Sequence, residues 1–393
     1  MSRDSIPDAA VERVVERTVQ IAEIPAPTGS EQRRSALVAE WWRQDGLDEV
    51  SVDHAGNVWG RVPAATTSGA PAILVCAHLD TVFDETVVHE VRREGDRLVG
   101  PGVGDNAVAV AALSDAFGVA LDAATAPIWL VATTGEEGLG NLRGIYAALG
   151  GFAGRVGAVV AVEGNYLDRI GIRGVCSERW SVQLSGPGGH SWEAANNASA
   201  VHEAAAMVCE LSSSVAAGTP RRTVNVGRFE GGDGITTRAP AATMLLDMRA
   251  ELPEAMPALR QRLIRSANAA TARGVGVSLS LLGRRGGGGI DPEHPLVQLA
   301  KRAQADVGRP ARLVAVSTDA NAAYDLGIPA ITLGVTEGAR QHSTQEWIST
   351  RLIGAGMAAL VRTVRNFGLH LHRNAQRNGR SEAAPESAVR GGR

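Results

Sequence analysis

Short runs of apolar residues recur along the chain, and each run is followed at once by glycine or by polar residues. Runs of this length without polar interruption are typical of strands that are buried in a sheet. The four clearest runs cover residues 73–77, 127–133, 156–162 and 328–333.

Segments with apolar residues at helical spacing separate these runs. The clearest cover about 8–24, 31–42 and 345–367. Strands that alternate with helices predict an α/β fold, in which helices flank a sheet. The expected fold class is therefore α/β.

The pattern changes between Ser177 and about Leu282, where strand-like stretches alternate with two helical segments, 198–211 and 254–272. This order predicts an α+β module inserted into the first fold. Within it, glycines precede His190, which indicates a loop that presents the imidazole; a plain turn is the alternative. The glycine-rich segment 284–289 is expected to be the exit hinge.

These patterns predict the domain organisation of the chain. The first part of the main domain covers residues 1–176, and its second part covers 285–372. The inserted module covers 177–284. A tail is expected at 373–393, where five arginines and two glutamates show no apolar periodicity; we expect this tail to be disordered.

Composition excludes several classes of protein. The 393 residues carry a formal net charge of −3, so there is no general basic field for nucleic acid. No apolar run approaches the ~18 residues of a membrane span, and the N-terminus lacks a signal-peptide pattern. Three scattered cysteines do not form a disulfide framework. We expect a cytoplasmic protein that binds neither nucleic acid nor membrane.

Polar residues that suit a metal site follow the predicted strands. His78 follows the run at 73–77, and Asp80 projects to the same side because it lies two positions later. A carboxylate commonly fixes the second ring nitrogen of a metal-binding His, although a core His with a turn Asp gives the same triplet. In the pair Glu136-Glu137, one carboxylate can bind a cation while the other faces a bound water; a solvated turn is the alternative.

Three more candidates lie at strand ends or helix starts. Asp105 opens a predicted helix, where a simple N-cap is the alternative; Glu163 ends a strand and His342 follows the last one. In open α/β sheets, ligands bind at the carboxyl ends of the strands. With His78 and Glu137, these residues offer two imidazoles and three carboxylates. Such a set suits zinc, and it fits two metal ions that share a carboxylate.

In this order and at these spacings, the motifs resemble those of the co-catalytic zinc peptidases and amidohydrolases of metallopeptidase family twenty. That family includes peptidase T, carboxypeptidase G, aminoacylase and succinyl-diaminopimelate desuccinylase, and the resemblance covers about residues 10–370. The segment Asp105-Asn106-Ala107-Val108 and Gly138 are most similar to the peptidase T branch. The resemblance implies a zinc-peptidase catalytic domain, in which helices flank a mixed sheet, with an inserted α+β lid or dimerisation domain.

The resemblance also implies a ligand role for five residues. His78 and Glu163 are similar to the ligands of one metal ion, and Glu137 and His342 to those of the other. Asp105 is similar to the carboxylate that bridges both ions. We therefore expect two divalent ions per chain, most readily Zn²⁺, with Co²⁺ or Mn²⁺ as alternatives.

Other residues resemble catalytic and substrate-binding groups of the family. Asp80 is similar to the carboxylate that orients the metal-binding His78, and Glu136 to the general base. His190 resembles the lid histidine that reaches the partner subunit's site. The segment 317–321, which contains Thr318, Asp319 and Asn321, resembles a loop that lines the substrate side of the site.

These roles imply a dizinc hydrolase that cleaves the amide bond of small peptides or N-acyl amino acids. Glu136 would take a proton from the metal-activated water. The alternative is a non-catalytic, metal-dependent binding or regulatory protein on the same scaffold. The expected partners are a small-molecule or short-peptide substrate and a second copy of the chain, which would form a homodimer through the inserted domain.

Overall fold

The computed structural model describes residues 6–63, 69–118, 126–212 and 220–382. The helices in these ranges are α1 (Asp8–Ala22), α2 (Gln32–Gln44), α3 (Val108–Phe117), α4 (Arg143–Gly151), α5 (Ala200–Ser212), α6 (Met256–Ala272), α7 (Pro295–Asp306), α8 (Ala320–Asp325) and α9 (Ile353–Glu382). The strands are β1 (Asp48–Val52), β2 (Val58–Arg61), β3 (Ala72–His78), β4 (Arg92–Glu94), β5 (Arg97–Val99), β6 (Ile128–Thr133), β7 (Val156–Glu163), β8 (Arg169–Gly174), β9 (Cys176–Ser185), β10 (Arg222–Gly231), β11 (Ala241–Ala250), β12 (Gly276–Arg285), β13 (Gly288–Gly289), β14 (Arg312–Val316), β15 (Ala330–Gly334), β16 (Gly338–Ala339) and β17 (Trp347–Ser349).

Nine strands of the described residues form a large mixed sheet, in the order β1-β2-β6-β3-β7-β15-β8-β13, with β14 paired to β8. Its central strands β6, β3, β7 and β15 run parallel. Their carboxyl ends therefore meet at one edge of the sheet. β3 is buried along its whole length because helices cover both faces. The expected α/β class is confirmed.

Apolar side chains pack on both faces of the large sheet. One core includes residues of α1, α2, α3, α7 and α9, and the other includes residues of α4 and α8. α3 is buried on all sides because it is rich in Ala and Val. This helix begins three residues after Asp105, so the packing of α3 fixes the loop that carries that carboxylate.

A second, antiparallel sheet lies within residues 176–285, in the order β10-β11-β9-β12. On β11, Met244, Leu246 and Met248 point into a core with α5 and α6. Alternate residues such as Asp247 and Arg249 lie on the opposite face, which α5 and α6 do not cover; we name it the open face. The first and last residues of this sheet, 176 and 285, each lie one residue outside the predicted module, 177–284. Its role as a lid and dimerisation domain stays a prediction.

A small antiparallel sheet brings the end of the chain to the centre of the fold. The hairpin β16–β17, whose turn contains His342, pairs with β5. β5 ends at Val99, directly before the glycine-rich loop that leads to Asp105. Because the two segments are neighbours through this sheet, His342 and Asp105 approach each other despite their distance in sequence.

The predicted disorder of the tail is wrong for residues 373–382, because α9 continues to Glu382. Side chains one turn apart form hydrogen bonds there: Asn374 Nδ2 lies 3.0 Å from His370 Nε2, and Gln376 Nε2 lies 2.8 Å from His372 Nε2. Ala375 also packs against the core. Residues 383–393 lie outside the described ranges.

Within the described ranges, no helix is both long enough and apolar enough to cross a membrane. α9 is the longest of these helices, with 30 residues, and its mixed composition is that of a surface helix packed on a core. The cytoplasmic location expected from the sequence stays a prediction.

Candidate metal centre and active site

The parallel strands deliver the candidate site residues to the carboxyl edge of the large sheet. His78 is the last residue of β3, and Glu163 is the last residue of the neighbouring β7. Glu136 and Glu137 follow β6, which flanks β3 on its other side. The polar residues that follow β3, β6 and β7 therefore lie at the same edge of the sheet.

Asp105 lies between two histidines. Its Oδ1 is 3.0 Å from His78 Nε2, and its Oδ2 is 3.2 Å from His342 Nε2. Glu163 Oε2 lies 3.9 Å from the same His78 nitrogen, and Glu137 Oε1 lies 3.3 Å from the same His342 nitrogen. The two oxygens of one carboxylate thus face two separate sets of donor atoms.

The five predicted ligands form two overlapping groups that share Asp105. His78, Asp105 and Glu163 form one, and Asp105, Glu137 and His342 form the other; in each group the donor atoms lie within 4.8 Å of one another. A third combination, His78 with Glu136 and Glu137, meets the same distance. Imidazole and carboxylate donors at this spacing suit a divalent cation. The assignment of individual ligands stays a prediction.

Burial and close contacts shift the pKa values of the clustered residues. Burial raises the pKa of Glu163 well above its usual value. Burial also acts to raise the pKa of Asp105, but hydrogen bonds to His342 and His78 lower it overall. In turn, Asp105 and Glu137 raise the pKa of His342 to about 10. Buried carboxylates at this density need compensating positive charge, which a divalent cation supplies.

Asp80 contacts His78 more closely through its backbone carbonyl than through the carboxylate that was expected to orient this histidine. Its backbone carbonyl oxygen lies 2.9 Å from His78 Nδ1, whereas its carboxylate Oδ1 lies 3.7 Å from that nitrogen. The carboxylate instead accepts hydrogen bonds from the backbone N–H groups of Glu136 and Glu137, each at 2.9 Å, and from Thr28 Oγ1 at 2.8 Å. Asp80 therefore fixes the turn that carries both glutamates.

Glu346 is a supporting residue that sequence reasoning missed. It is fully buried, and its Oε2 accepts a hydrogen bond from the backbone N–H of Gly102 at 2.9 Å. Its backbone carbonyl accepts from Gly100 N at 2.9 Å. These bonds join the loop of His342 to the loop of Asp105. The only sequence signal was its position four residues after His342.

Arg285 was expected only as part of the exit hinge. It is 5% exposed, and its Nη1 donates to Glu136 Oε1 at 2.8 Å. Its Nη2 donates to the backbone carbonyl of Glu136, and Nη1 also donates to Ser317 Oγ at 3.1 Å. Burial raises the pKa of Glu136 to about 8, while Arg285 acts to lower it. The pair of arginines before the glycine run gave no sign of this contact.

A cleft of about 530 Å³ connects the carboxylate cluster to the open face of the second sheet. Arg179, Asp247 and Arg249 line the part of the cleft that this face forms, and Arg179 Nη1 donates to the backbone carbonyl of Gly138 at 2.6 Å. Arg249 Nε donates to Asp247 Oδ2 at 2.6 Å, and Arg179 Nε lies 3.7 Å from Asp247 Oδ1. The large sheet therefore lines the cleft with carboxylates, and the open face lines it with two arginines around one aspartate.

The three predicted substrate-side residues are buried. Thr318 lines the cleft, but Asp319 and Asn321 lie behind it. Asp319 Oδ2 accepts a hydrogen bond from Thr133 at 2.5 Å. The amide of Asn321 donates to the carbonyls of Val175 and Gly286, at 2.9 and 2.8 Å. It thereby joins the two segments through which the chain enters and leaves the second sheet.

His190 lies away from the cleft of its own chain. It is exposed in the segment between β9 and α5, where it forms an isolated bridge with Thr237 and accepts a hydrogen bond from Trp192 N at 3.3 Å. It is not among the residues that line the cleft. A role for His190 in catalysis therefore requires delivery from a second copy or a movement of the second sheet.

A family model described as peptidase family M20/M25/M40 matches residues 74–366, which is most of the chain. Among curated proteins, none matches the sequence at a significant level.

Solved structures of similar fold cover almost the whole chain. A tripeptidase from Staphylococcus aureus has a TM-score of 0.77 at 18% identity, over 92% of this chain and 99% of that one. The aminopeptidase PepT from Bacillus cereus has 0.73 at 19%, over 90% and 98%. The YXEP protein of Bacillus subtilis, described as a dinuclear metal-binding peptidase, has 0.68 at 15%, over 92% and 99%. At these identities, the likeness establishes the fold.

The contacts of His342 generate a test of the metal centre. His342→Ala should lower the bound metal from about two ions to about one ion per chain, because it removes a donor from only one of the two groups. Elemental analysis of dialysed, zinc-loaded protein measures the ratio. His54→Ala, at an exposed turn, is the control and should bind as wild type. An unchanged ratio in His342→Ala would exclude this residue as a ligand.

Proposed function

The chain belongs to the peptidase family M20/M25/M40 and is a hydrolase, and from this premise we propose that it is a dizinc enzyme acting on small peptides or N-acyl amino acids. The position of Asp105 carries this proposal, because its two carboxylate oxygens face His78 and His342 at 3.0 and 3.2 Å. A carboxylate shared in this way suits a pair of metal ions.

The donor set fits zinc. In the proposal, His78 and Glu163 would hold one ion, Glu137 and His342 would hold the other, and Asp105 would be shared by both. Imidazole and carboxylate donors bind zinc, and cobalt or manganese are alternatives for the same set. When bound, the metal pair would polarise the scissile carbonyl and make water nucleophilic near neutral pH.

Glu136 is the proposed general base. It lies beside the ligand Glu137 but turns its Oε1 to Arg285, so Oε2 is the oxygen that is left for proton transfer. Glu136 would accept a proton from the attacking water and return it to the departing amine. Its low exposure, 4%, keeps bulk water away from this proton.

The proposed substrates are small and carry a free carboxylate. A cleft of about 530 Å³ accommodates a short peptide or an acylated amino acid. Arg179 and Arg249 flank Asp247 on the open face, which lines the cleft, so these three side chains together carry one net positive charge. Arg side chains suit carboxylate recognition because their donors form a planar fork.

We further propose a homodimer in which His190 of one copy serves the site of the other. Its exposure and its distance from the cleft lining of its own chain support this arrangement. An isologous twofold contact is the commonest way to pair two copies. The delivered imidazole would stabilise the negative charge that develops on the substrate oxygen.

The base assignment is tested with Glu136→Gln. This variant should bind metal as wild type and lose at least about 100-fold in kcat, because the amide cannot accept the proton. Amine release is measured with zinc-loaded protein on dipeptides, tripeptides and N-acyl amino acids, each with a free and an amidated carboxyl end. Glu85→Gln, in an exposed loop, is the matched control.

Near-normal kcat in Glu136→Gln would remove this residue from the mechanism. Wild-type protein that binds metal but cleaves nothing in the panel would favour a metal-dependent binding protein. Equal activity on amidated and free substrates would exclude the two arginines as carboxylate anchors.

The shared site is tested by mixing two inactive variants. His190→Ala and Glu136→Gln homodimers should each be nearly inactive. Unfolding and refolding them together should restore about a quarter of wild-type activity, because half of the dimers are mixed and each mixed dimer has one intact site of two. His202→Ala, an exposed histidine on α5, should stay active alone. A mixture that forms dimers but stays inactive would exclude action of His190 across the interface.

A further inference from the structure

Two neighbouring segments connect the second sheet to the large sheet. The chain enters the second sheet after Val175 and leaves it at Arg285, the last residue of β12. Asn321 binds the carbonyls of Val175 and Gly286 and so holds the two segments together. The backbone next to Arg285 is therefore held in place, and the side chain of Arg285 extends from this fixed position.

That side chain holds Glu136 by two different groups. Arg285 donates to the carboxylate oxygen Oε1 and to the backbone carbonyl of the same residue. From the other side, the Asp80 carboxylate accepts from the backbone N–H of Glu136. Both the peptide group and the side chain of Glu136 are thus fixed, and a single rotamer is favoured.

The charge of Arg285 keeps it in this position. Burial acts to lower the pKa of its guanidinium, but Glu136, Glu137, Asp319 and Asp80 raise it overall. A buried cation that loses its partners is strongly destabilising. Arg285 is therefore expected to remain with Glu136, and a shift of the exit strand would move both.

We propose that Arg285 is a positioning residue that holds Glu136 for proton transfer and links its orientation to the exit strand of the second sheet. The proposal rests on the proposed function in assigning Glu136 as the base. Arg285 lines the same cleft as Arg179 and Arg249, but the proposal assigns it to Glu136, whereas those two arginines are proposed to bind the substrate.

Steady-state kinetics provide the first test. Arg285→Met should lower kcat by about 10- to 100-fold and change KM by less than about threefold, because the base is misaligned while the substrate contacts remain. Arg285→Lys keeps the buried charge but not the fork, so its loss should be smaller and in the same direction. Arg284→Met, the exposed neighbour, is the control and should match wild type.

A double-mutant cycle separates positioning from substrate binding. If Arg285 acts through Glu136, adding Arg285→Met to Glu136→Gln should cost less than about twofold in kcat/KM, because the group that it positions is already inactive. A full additional loss, or a loss confined to KM, would assign Arg285 to the substrate and overturn the proposal.

A third measurement does not depend on activity. Hydrogen exchange of residues 134–140 in the metal-free protein should be faster in Arg285→Met, intermediate in Arg285→Lys and unchanged in Arg284→Met, because the turn loses one of the side chains that hold it. Unchanged exchange in both Arg285 variants would overturn the proposal. Lack of hydrolysis by wild type, with the expected exchange pattern, would instead contradict the proposed function and leave the anchoring intact.

Discussion

The Asp105 carboxylate lies between two imidazoles that come from distant parts of the chain, and the rest of the site is arranged around it. His78 arrives on β3 and His342 on the turn of the β16–β17 hairpin. Both must approach the same carboxylate, so its loop has to be fixed closely. The buried helix α3 fixes this loop on one side, and Glu346 binds it through Gly102 on the other.

The second sheet complements this acidic edge with positive charge. Its open face brings Arg179 and Arg249 to the cleft. Its exit strand delivers Arg285 to Glu136. In the proposed mechanism, the large sheet supplies the metal ligands and the base, while the second sheet supplies the groups that hold the substrate and the base in place.

The sequence was informative where a local pattern carries the structure. Uninterrupted apolar runs predicted the parallel strands, and the polar residues after them predicted that His78, Glu137 and Glu163 would meet at one edge. Contacts between segments that are far apart along the chain have no such pattern in the sequence. Arg285 and Glu346 are ordinary charged residues in the sequence. Only the folded chain brings them to Glu136 and Gly102, which lie more than a hundred residues away in sequence. Helix α9 likewise exceeded its predicted end, because contacts one turn apart and packing of Ala375 extend it.

Anomalous diffraction from crystals grown with Zn²⁺ is the most direct test of a shared carboxylate at the centre of the site. We expect two peaks per chain, one beside His78 and Glu163 and one beside Glu137 and His342, with an Asp105 oxygen within about 2.0–2.2 Å of each. A single peak, or two peaks of which one has no contact with Asp105, would contradict this account.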